Sequence, residues 1–277
     1  MAYFRWVEGE MEGYLIACDT NDARRLLGEA DNPALVIEPL SGALDPIDFA
    51  EAQAVLGDQH PALLGLRSLG LSLAETIVQR SSHFGGLPRL SQQIDWPGGA
   101  NPLPLLLELD LAEVTDGGWG GFFGFPATGY LALFFDLRSS RRDFAVCYSP
   151  AGSPVRSAPV GSVALEPRSV VSGLELTSPH PEDPAVIELL GDDVELLESY
   201  AALYAESAEG CHRLLGHAYW INEECAVPEG CIQLFQIRGE PGSFGVNAEE
   251  CYLHVFMPEA DLAALDFSRC ELVLQLG

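Results

Sequence analysis

Cysteine and histidine side chains cluster in the second half of the chain. Five of them fall within 21 residues: Cys211, His212, His217, Cys225 and Cys231. Thiolate and imidazole groups bind zinc, but structural zinc sites pair their ligands at short spacings, and the pattern C-H-x4-H-x7-C-x5-C does not. Cys231 also lies in an apolar strand pattern, where cysteine behaves as a small buried hydrophobe. We therefore expect neither a metal nor a cofactor.

The same residue types could form a cysteine–histidine nucleophile, because the chain has seven cysteines and six histidines. Nothing in the sequence activates one thiol over another, and the carboxylates are too abundant for any pair to stand out as an acid and base. The sequence thus predicts a protein that is not an enzyme. An enzyme or small-ligand-binding protein, using a pocket between two halves of the chain, is the alternative.

A run of glycines and aromatic residues extends from Gly117 to Phe125. It lacks the lysine and the spacing of a phosphate-binding loop, so we do not interpret it as a nucleotide site. Trp119 and Phe122 have two possible roles. They could be exposed and anchor a partner protein, or they could face the core as most large aromatic side chains do.

An amphipathic helix is predicted from Val194 to about Ala208, with Asp192 and Asp193 capping its start. At 100° per residue, one face carries apolar and aromatic side chains: Leu197, Tyr200, Ala201 and Tyr204. The opposite face carries four carboxylates: Glu195, Glu198, Glu206 and Glu209. This acidic face is either a solvated surface or a negative surface that mimics a phosphate backbone and binds a basic partner.

The charge of the chain favours the second interpretation. The formal net charge is −27, and all 14 basic residues are arginine. Residues 169–277 hold 20 acidic residues and three arginines, a net charge of −17, whereas residues 71–168 have a net charge of only −2. A surface this negative repels nucleic acid and anionic membranes, and it attracts a basic protein. Direct binding to nucleic acid or to a membrane is therefore excluded.

The location predicted for the protein is the cytoplasm. The first residues, MAYFRWVEGEMEGYL, lack the basic segment and long apolar core of a signal peptide. No stretch reaches the roughly 20 apolar residues that cross a bilayer. An odd number of cysteines spread along the chain fits reduced thiols better than a disulfide framework.

The periodicity predicts an α+β fold in two parts. Residues 1–70 form a small α/β unit, with strands at Tyr14–Cys18 and Ala34–Glu38, and residues 71–277 form a strand-rich domain. A short helix, Leu73–Arg80, opens that domain. Further strands are predicted at Leu103–Leu109, Tyr130–Asp136, Phe144–Ser149, Val160–Glu166, Ser169–Thr177, Cys231–Ile237, Cys251–Phe256 and Glu271–Leu276. Weak similarity between the ends of this domain predicts two duplicated, sheet-forming halves, residues 71–168 and 169–277.

Several of these segments resemble one known family. The motifs are HFGGLPRL (83–90), DWPGG (95–99), PLPLLLELDLAEV (102–114), GYLALFFD (129–136), CHRLLGHAYWI (211–221), CIQLFQI (231–237), CYLHVFMPEADL (251–262) and ELVLQ (271–275). In this order they are similar to the YwqG-like family of bacterial proteins, which usually has glutamine in place of Glu108. The resemblance implies a strand-rich fold. Some members resemble immunity proteins that neutralise antibacterial toxins, including nucleases delivered by type VI secretion.

Together, charge and resemblance predict an immunity protein. It would bind a cognate toxin with a basic surface, with a nuclease (DNase) domain as the first candidate, as a 1:1 heterodimer, and no residue need be catalytic. The predicted partner-binding residues are Asp192, Asp193, Glu195, Glu198, Glu206, Glu209, Trp119 and Phe122.

Overall fold

A computed structural model describes residues 2–8, 11–17, 36–40, 54–115, 124–137, 142–208, 212–221, 227–239, 244 and 249–277. The chain folds into two compact units, each assembled from separate segments of the sequence. The first unit is Met1–Ser72, Gly173–Gly210 and Leu215–Cys225, and the second is Leu73–Ser172, Cys211–Leu214 and Ala226–Gly277. The predicted division into residues 1–70 and 71–277 stays a prediction.

Thirteen strands and five α-helices lie wholly within the described part of the chain, and residues 54–56 are also helical. The strands are β1 Ala2–Glu8, β2 Met11–Ala17, β3 Val36–Leu40, β4 Ser68–Glu75, β5 His83–Phe84, β6 Leu105–Asp110, β7 Tyr130–Phe135, β8 Phe144–Ser149, β9 Arg168–Thr177, β10 His212–Leu215, β11 Cys231–Gly239, β12 Cys251–Pro258 and β13 Glu271–Leu276. The helices are α1 His60–Gly65, α2 Leu111–Thr115, α3 Pro184–Leu190, α4 Val194–Ala208 and α5 Glu259–Leu262.

Two sheets organise these strands. A three-stranded sheet has the order β2-β1-β3, and a ten-stranded sheet has the order β13-β12-β11-β10-β4-β9-β5-β6-β7-β8. Every pairing whose register is described is antiparallel. Strands β6, β7 and β12 are short apolar runs that are buried along almost their whole length. The predicted α+β, strand-rich fold class is confirmed.

Two local predictions are wrong. The predicted helix Leu73–Arg80 is the end of strand β4 and the loop after it, because Leu71 and Leu73 are buried at the period of two that a strand requires. The predicted strand Val160–Glu166 is irregular, and the side chain of Val160 is fully exposed. Gly161 has a positive φ within that segment, and Pro159 and Pro167 flank it.

The segment between β5 and β6 covers one face of the second unit's sheet. Leu90 and Leu103 pack with side chains of β6 and β7, and Trp96 packs against the same cluster. The indole Nε1 of Trp96 donates to the carbonyl of Leu103 at 2.9 Å. The turn requires glycine at Gly98, where φ is +91° and an added Cβ would lie 2.3 Å from the carbonyl oxygen of Asn101.

None of the helices in the described ranges has the length and apolar character needed to cross a membrane.

Candidate functional site

Two polar regions of the described chain could carry function. One is the acidic face of the α3–α4 helix pair in the first unit, and the other surrounds the buried carboxylate of Glu108 in the second unit. The sequence predicts the first region. It does not predict the second as a site.

Both helices of the acidic region begin at an aspartate. Asp183 accepts a hydrogen bond from the backbone N–H of Ala185 at 2.9 Å, and Pro184 occupies the first turn of α3. Asp193 accepts from the backbone N–H of Leu196 at 3.0 Å and caps α4. Helix α4 spans Val194–Ala208, so the helix predicted from the sequence is confirmed.

Aromatic side chains fix helix α4 from its apolar side. Tyr200 is buried in a cluster with Val186 and Leu190 of α3, and its hydroxyl donates to the carbonyl of Pro179 at 2.8 Å. The hydroxyl of Tyr204 donates to the carbonyl of Ala218 and accepts the N–H of Trp220. The opposite face of the helix therefore lies on a well-anchored element.

The predicted acidic residues gather at the start of α4. Four of them have exposed side chains: Asp192, Asp193, Glu195 and Glu198. Glu206 lies in α4 with its side chain outside the described part of the structure, and Glu209, Trp119 and Phe122 lie outside the described residues. Two further exposed carboxylates, Glu182 and Glu188, lie just before and within α3. In the described chain, none of these six carboxylates forms an ion pair with an arginine.

The second region centres on Glu108, whose side chain is 0% exposed. It lies in strand β6, inside an apolar run, and pairs directly across the sheet with His83 of β5. Arg89 reaches the same carboxylate twice. Its backbone N–H donates to Oε2 at 2.5 Å, and Nη1 donates to Oε1 at 2.9 Å. We name His83, Arg89 and Glu108 the Arg89–Glu108 cluster.

Local backbone geometry brings Arg89 back to Glu108. Strand β5 is followed by Gly85 and Gly86, both with positive φ, and an added Cβ at Gly85 would lie 2.5 Å from the carbonyl oxygen of Glu166. Only glycine fits this reversal. The carboxylate of Glu113 accepts the backbone N–H groups of Ser81 and Ser82, each at 2.8 Å, and so fixes the chain just before β5.

The two ring nitrogens of His83 face different groups of the chain. The Nδ1 atom of His83 lies 2.8 Å from the carbonyl oxygen of Gly85, which can only accept, so Nδ1 is the donor. The Nε2 atom faces Oε1 of Glu108 at 3.5 Å. Nδ1 is therefore engaged within the chain, and the other ring nitrogen is turned towards the buried carboxylate.

The cysteines and histidines that lie close together in the sequence do not converge within the described residues. His212 accepts the backbone N–H of Arg238 through Nδ1, and Nε2 of His217 bonds the carbonyl of Leu66. Cys211 and Cys225 lie outside the described residues. Within the described ranges, no three or more metal-binding side chains come together. Burial, with the charges of Arg168 and Arg238, lowers the pKa of His212 to about 4.

The described thiols are weak nucleophiles. Burial raises the pKa of each of them, to about 11 for Cys147 and to about 12 for Cys270. At neutral pH these side chains are protonated, whereas the thiolate is the reactive form. The described part of the chain thus offers no activated cysteine.

Comparison with known proteins identifies the family but assigns no activity. No curated protein matches the chain. The family described as Domain of unknown function (DUF1963) matches residues 82–275, a range that includes the Arg89–Glu108 cluster and helices α3 and α4. The chain therefore belongs to the DUF1963 family, a family of unknown function.

Proposed function

We propose that this protein is a cytoplasmic immunity protein that binds and inhibits a cognate antibacterial toxin. The toxin is a nuclease with a basic substrate cleft, delivered by type VI secretion, and the complex is a 1:1 heterodimer. The observation that carries the proposal is the group of exposed carboxylates at the start of α4, which no arginine of the described chain neutralises. The resemblance to the YwqG-like family supplies the biological setting.

Electrostatics explains why such a surface suits this partner. A cleft that binds a polyanion is positive, and residues 169–277 carry a net charge of −17. Complementary charge raises association rates well above those of neutral partners, which typically associate at about 10⁵–10⁶ per molar per second. Since exposed charges are screened by salt, the gain should shrink as ionic strength rises.

The geometry of α4 adds to this argument. Within the helix, Glu195 and Glu198 are separated by about 4.5 Å along the axis at 1.5 Å per residue, so their carboxylates form one compact negative group next to Asp192 and Asp193. Tyr200 and Tyr204 hold the helix by hydrogen bonds from its buried face. Because the helix is fixed before binding, little ordering entropy opposes association.

A charge-neutralised variant tests the proposal. It carries Asp192→Asn, Asp193→Asn, Glu195→Gln and Glu198→Gln, and asparagine at 193 keeps the helix cap. The matched control changes four exposed glutamates of the second unit to glutamine: Glu229, Glu249, Glu259 and Glu271. Both variants gain four charge units, so they differ only in position.

The partner is first captured from the lysate of the source cells with the tagged full chain. We expect a basic, nuclease-like protein at a 1:1 ratio. We also expect that cells expressing this toxin survive only when they express the immunity protein as well. With that partner, the α4 variant should associate about tenfold more slowly at low salt, and the control should stay within about twofold. Equal rates for the two variants, or capture of no basic partner, would overturn the proposal.

A further inference from the structure

The guanidinium of Arg89 is held in place by more contacts than one ion pair requires. Nη1 donates to Oε1 of Glu108 at 2.9 Å and to the carbonyl oxygen of Ser81 at 3.3 Å. The backbone N–H of Arg89 donates to the second carboxylate oxygen. The guanidinium carbon lies 4.9 Å from the centre of the Tyr130 ring, a cation–π distance. Side chain and backbone are thereby tied to the same buried anion.

This anchoring leaves one edge of the guanidinium unused. Arginine has five N–H donors, and the two on Nη1 go to Glu108 and Ser81. Within the described ranges, neither Nε nor Nη2 of Arg89 has an acceptor. The side chain is 26% exposed, so solvent reaches it. The Nε–H and Nη2–H groups form a planar fork that matches the two oxygens of a carboxylate or phosphate.

The surroundings of Arg89 are compatible with an anion. Residues 71–168 carry a net charge of only −2, so this part of the chain repels anions far less than the last third. Glu113 is turned towards the N–H groups of Ser81 and Ser82, which donate to both of its carboxylate oxygens. Asp110 lies opposite Tyr130 in the sheet, and its Oδ1 accepts the N–H of Ala112.

We propose that the Nε–Nη2 edge of Arg89 binds the carboxylate or phosphate group of a small molecule. Glu108 is the positioning residue of this site, because it fixes the guanidinium without occupying the free edge. Tyr130 supports the guanidinium plane from one side. Polymeric nucleic acid is excluded as the ligand, since the net charge of −27 would repel it. This site is independent of the acidic face on α4.

The pre-organised fork distinguishes this site from an ordinary surface arginine. A free arginine side chain must lose rotamer freedom to bind an anion, and holding it in place removes that cost. Lysine at this position would keep the charge but would lack the planar fork, so Arg89→Lys isolates the geometry. Arg80→Lys is the matched control, because Arg80 is exposed and belongs to the same part of the chain.

The test titrates the full-length protein with inorganic phosphate and, separately, with acetate, at constant ionic strength. Two quantities are followed: the thermal midpoint and the ¹⁵N-detected resonance of the Arg89 Nε–H group. We expect saturable shifts in the wild type and in Arg80→Lys, and an apparent Kd at least tenfold weaker in Arg89→Lys. The more effective probe identifies the class of oxyanion.

Two outcomes would overturn the proposal. One is an equal thermal response of the wild type and Arg89→Lys, which would assign the effect to general salt stabilisation. The other is an Arg89 Nε–H resonance of the wild type that does not move with either probe. This second measurement needs no variant, so it decides the matter even if Arg89→Lys folds poorly. Neither outcome bears on toxin binding by α4.

Discussion

Strands β5–β8 and strands β10–β13 have the same antiparallel pairing pattern. The residues that face one another across the four strands, which we call a row, differ in type between the two groups. Each group is a consecutive antiparallel run, and the second strand of each has a register shift, at Leu105/Leu107 in β6 and at Gln233/Phe235 in β11. Counting from that shift, one row in the first group is His83, Glu108, Ala132 and Cys147. The corresponding row in the second group is Arg213, Gln236, His254 and Val273. An internal duplication would produce this match, and the predicted halves 71–168 and 169–277 stay a prediction.

The two rows differ in their access to solvent. In the first row, Glu108 is buried, but its partner Arg89 keeps a quarter of its side-chain surface exposed. In the second row, Arg213, Gln236 and His254 are all buried to 2% exposure or less. The first row can therefore present a charged group to a ligand, whereas the second forms a closed polar interior. The same sheet positions serve binding in one group and internal packing in the other.

Removing the central polar residue of each row should separate these roles most strongly. Glu108→Ala leaves Arg89 and His83 without their carboxylate. Loss of one partner of a fully buried ion pair costs about 3–5 kcal/mol, and because the Arg89 side chain is 26% exposed we expect the lower end of that range. Gln236→Ala removes a neutral buried amide, which costs about 1–3 kcal/mol. Urea denaturation of both variants measures the difference. Glu108→Gln is the control, because it keeps the shape and one acceptor, and it should fall between Glu108→Ala and the wild type.

The comparison would fail if Gln236→Ala cost as much free energy of unfolding as Glu108→Ala. That result would mean that the second row holds its arginine through Gln236 as strongly as the first row holds Arg89 through Glu108.

Low pH should destabilise strands β10–β13 by protonating two buried histidines of that group, His212 and His254. Burial, with nearby arginines, lowers the pKa of His212 to about 4 and that of His254 to about 3. Because the pKa of these histidines in the folded state is below the unfolded value of about 6.5, the unfolded state takes up protons first as the pH falls. The free energy of unfolding is therefore unaffected by these groups above pH 6.5 and decreases as the pH falls towards 4.

The variant His212→Asn tests this acid dependence. Its side-chain oxygen can still accept the N–H of Arg238, but it does not titrate. Between pH 6.5 and 4 the variant should lose less free energy of unfolding than the wild type, by at most about 3 kcal/mol, since one pKa unit is worth about 1.4 kcal/mol. Parallel losses in the two proteins would show that His212 does not contribute.

The sequence predicts an element well when the contacts that form it are between residues close together in the chain. Helix α4, its cap at Asp193 and the exposure of Glu195 and Glu198 follow from local periodicity and are confirmed, whereas Glu206 and Glu209 lie outside the described side chains. Strands β6, β7 and β8 follow from short apolar runs. The wrong prediction at the end of β4 has a local cause, because its two buried leucines, Leu71 and Leu73, are too few to establish a period of two.

The Arg89–Glu108 cluster was missed for a different reason. A single acid inside the apolar run PLLLELD is a signal, because a buried carboxylate must find a cation or several N–H donors. Its partner lies 19 residues earlier and reaches it only through the positive-φ turn at Gly85 and Gly86. Periodicity along one strand carries no information about such a contact. The need for a partner was predictable, but the identity of that partner was not.

The smallest expected effect on stability comes from the segment between β5 and β6, which covers strands β5–β8. Trp96 donates an indole hydrogen bond to the carbonyl of Leu103 at 2.9 Å and lies edge-on to Phe134, with ring centres 5.6 Å apart. Trp96→Phe keeps an aromatic ring but removes the donor, so it should cost about 1 kcal/mol and lower the thermal midpoint by a few degrees. If this segment also holds Arg89 in place, anion binding should weaken slightly in the same variant. A loss of several kcal/mol would instead indicate that the cover, rather than the Glu108 carboxylate, determines the stability of the first group.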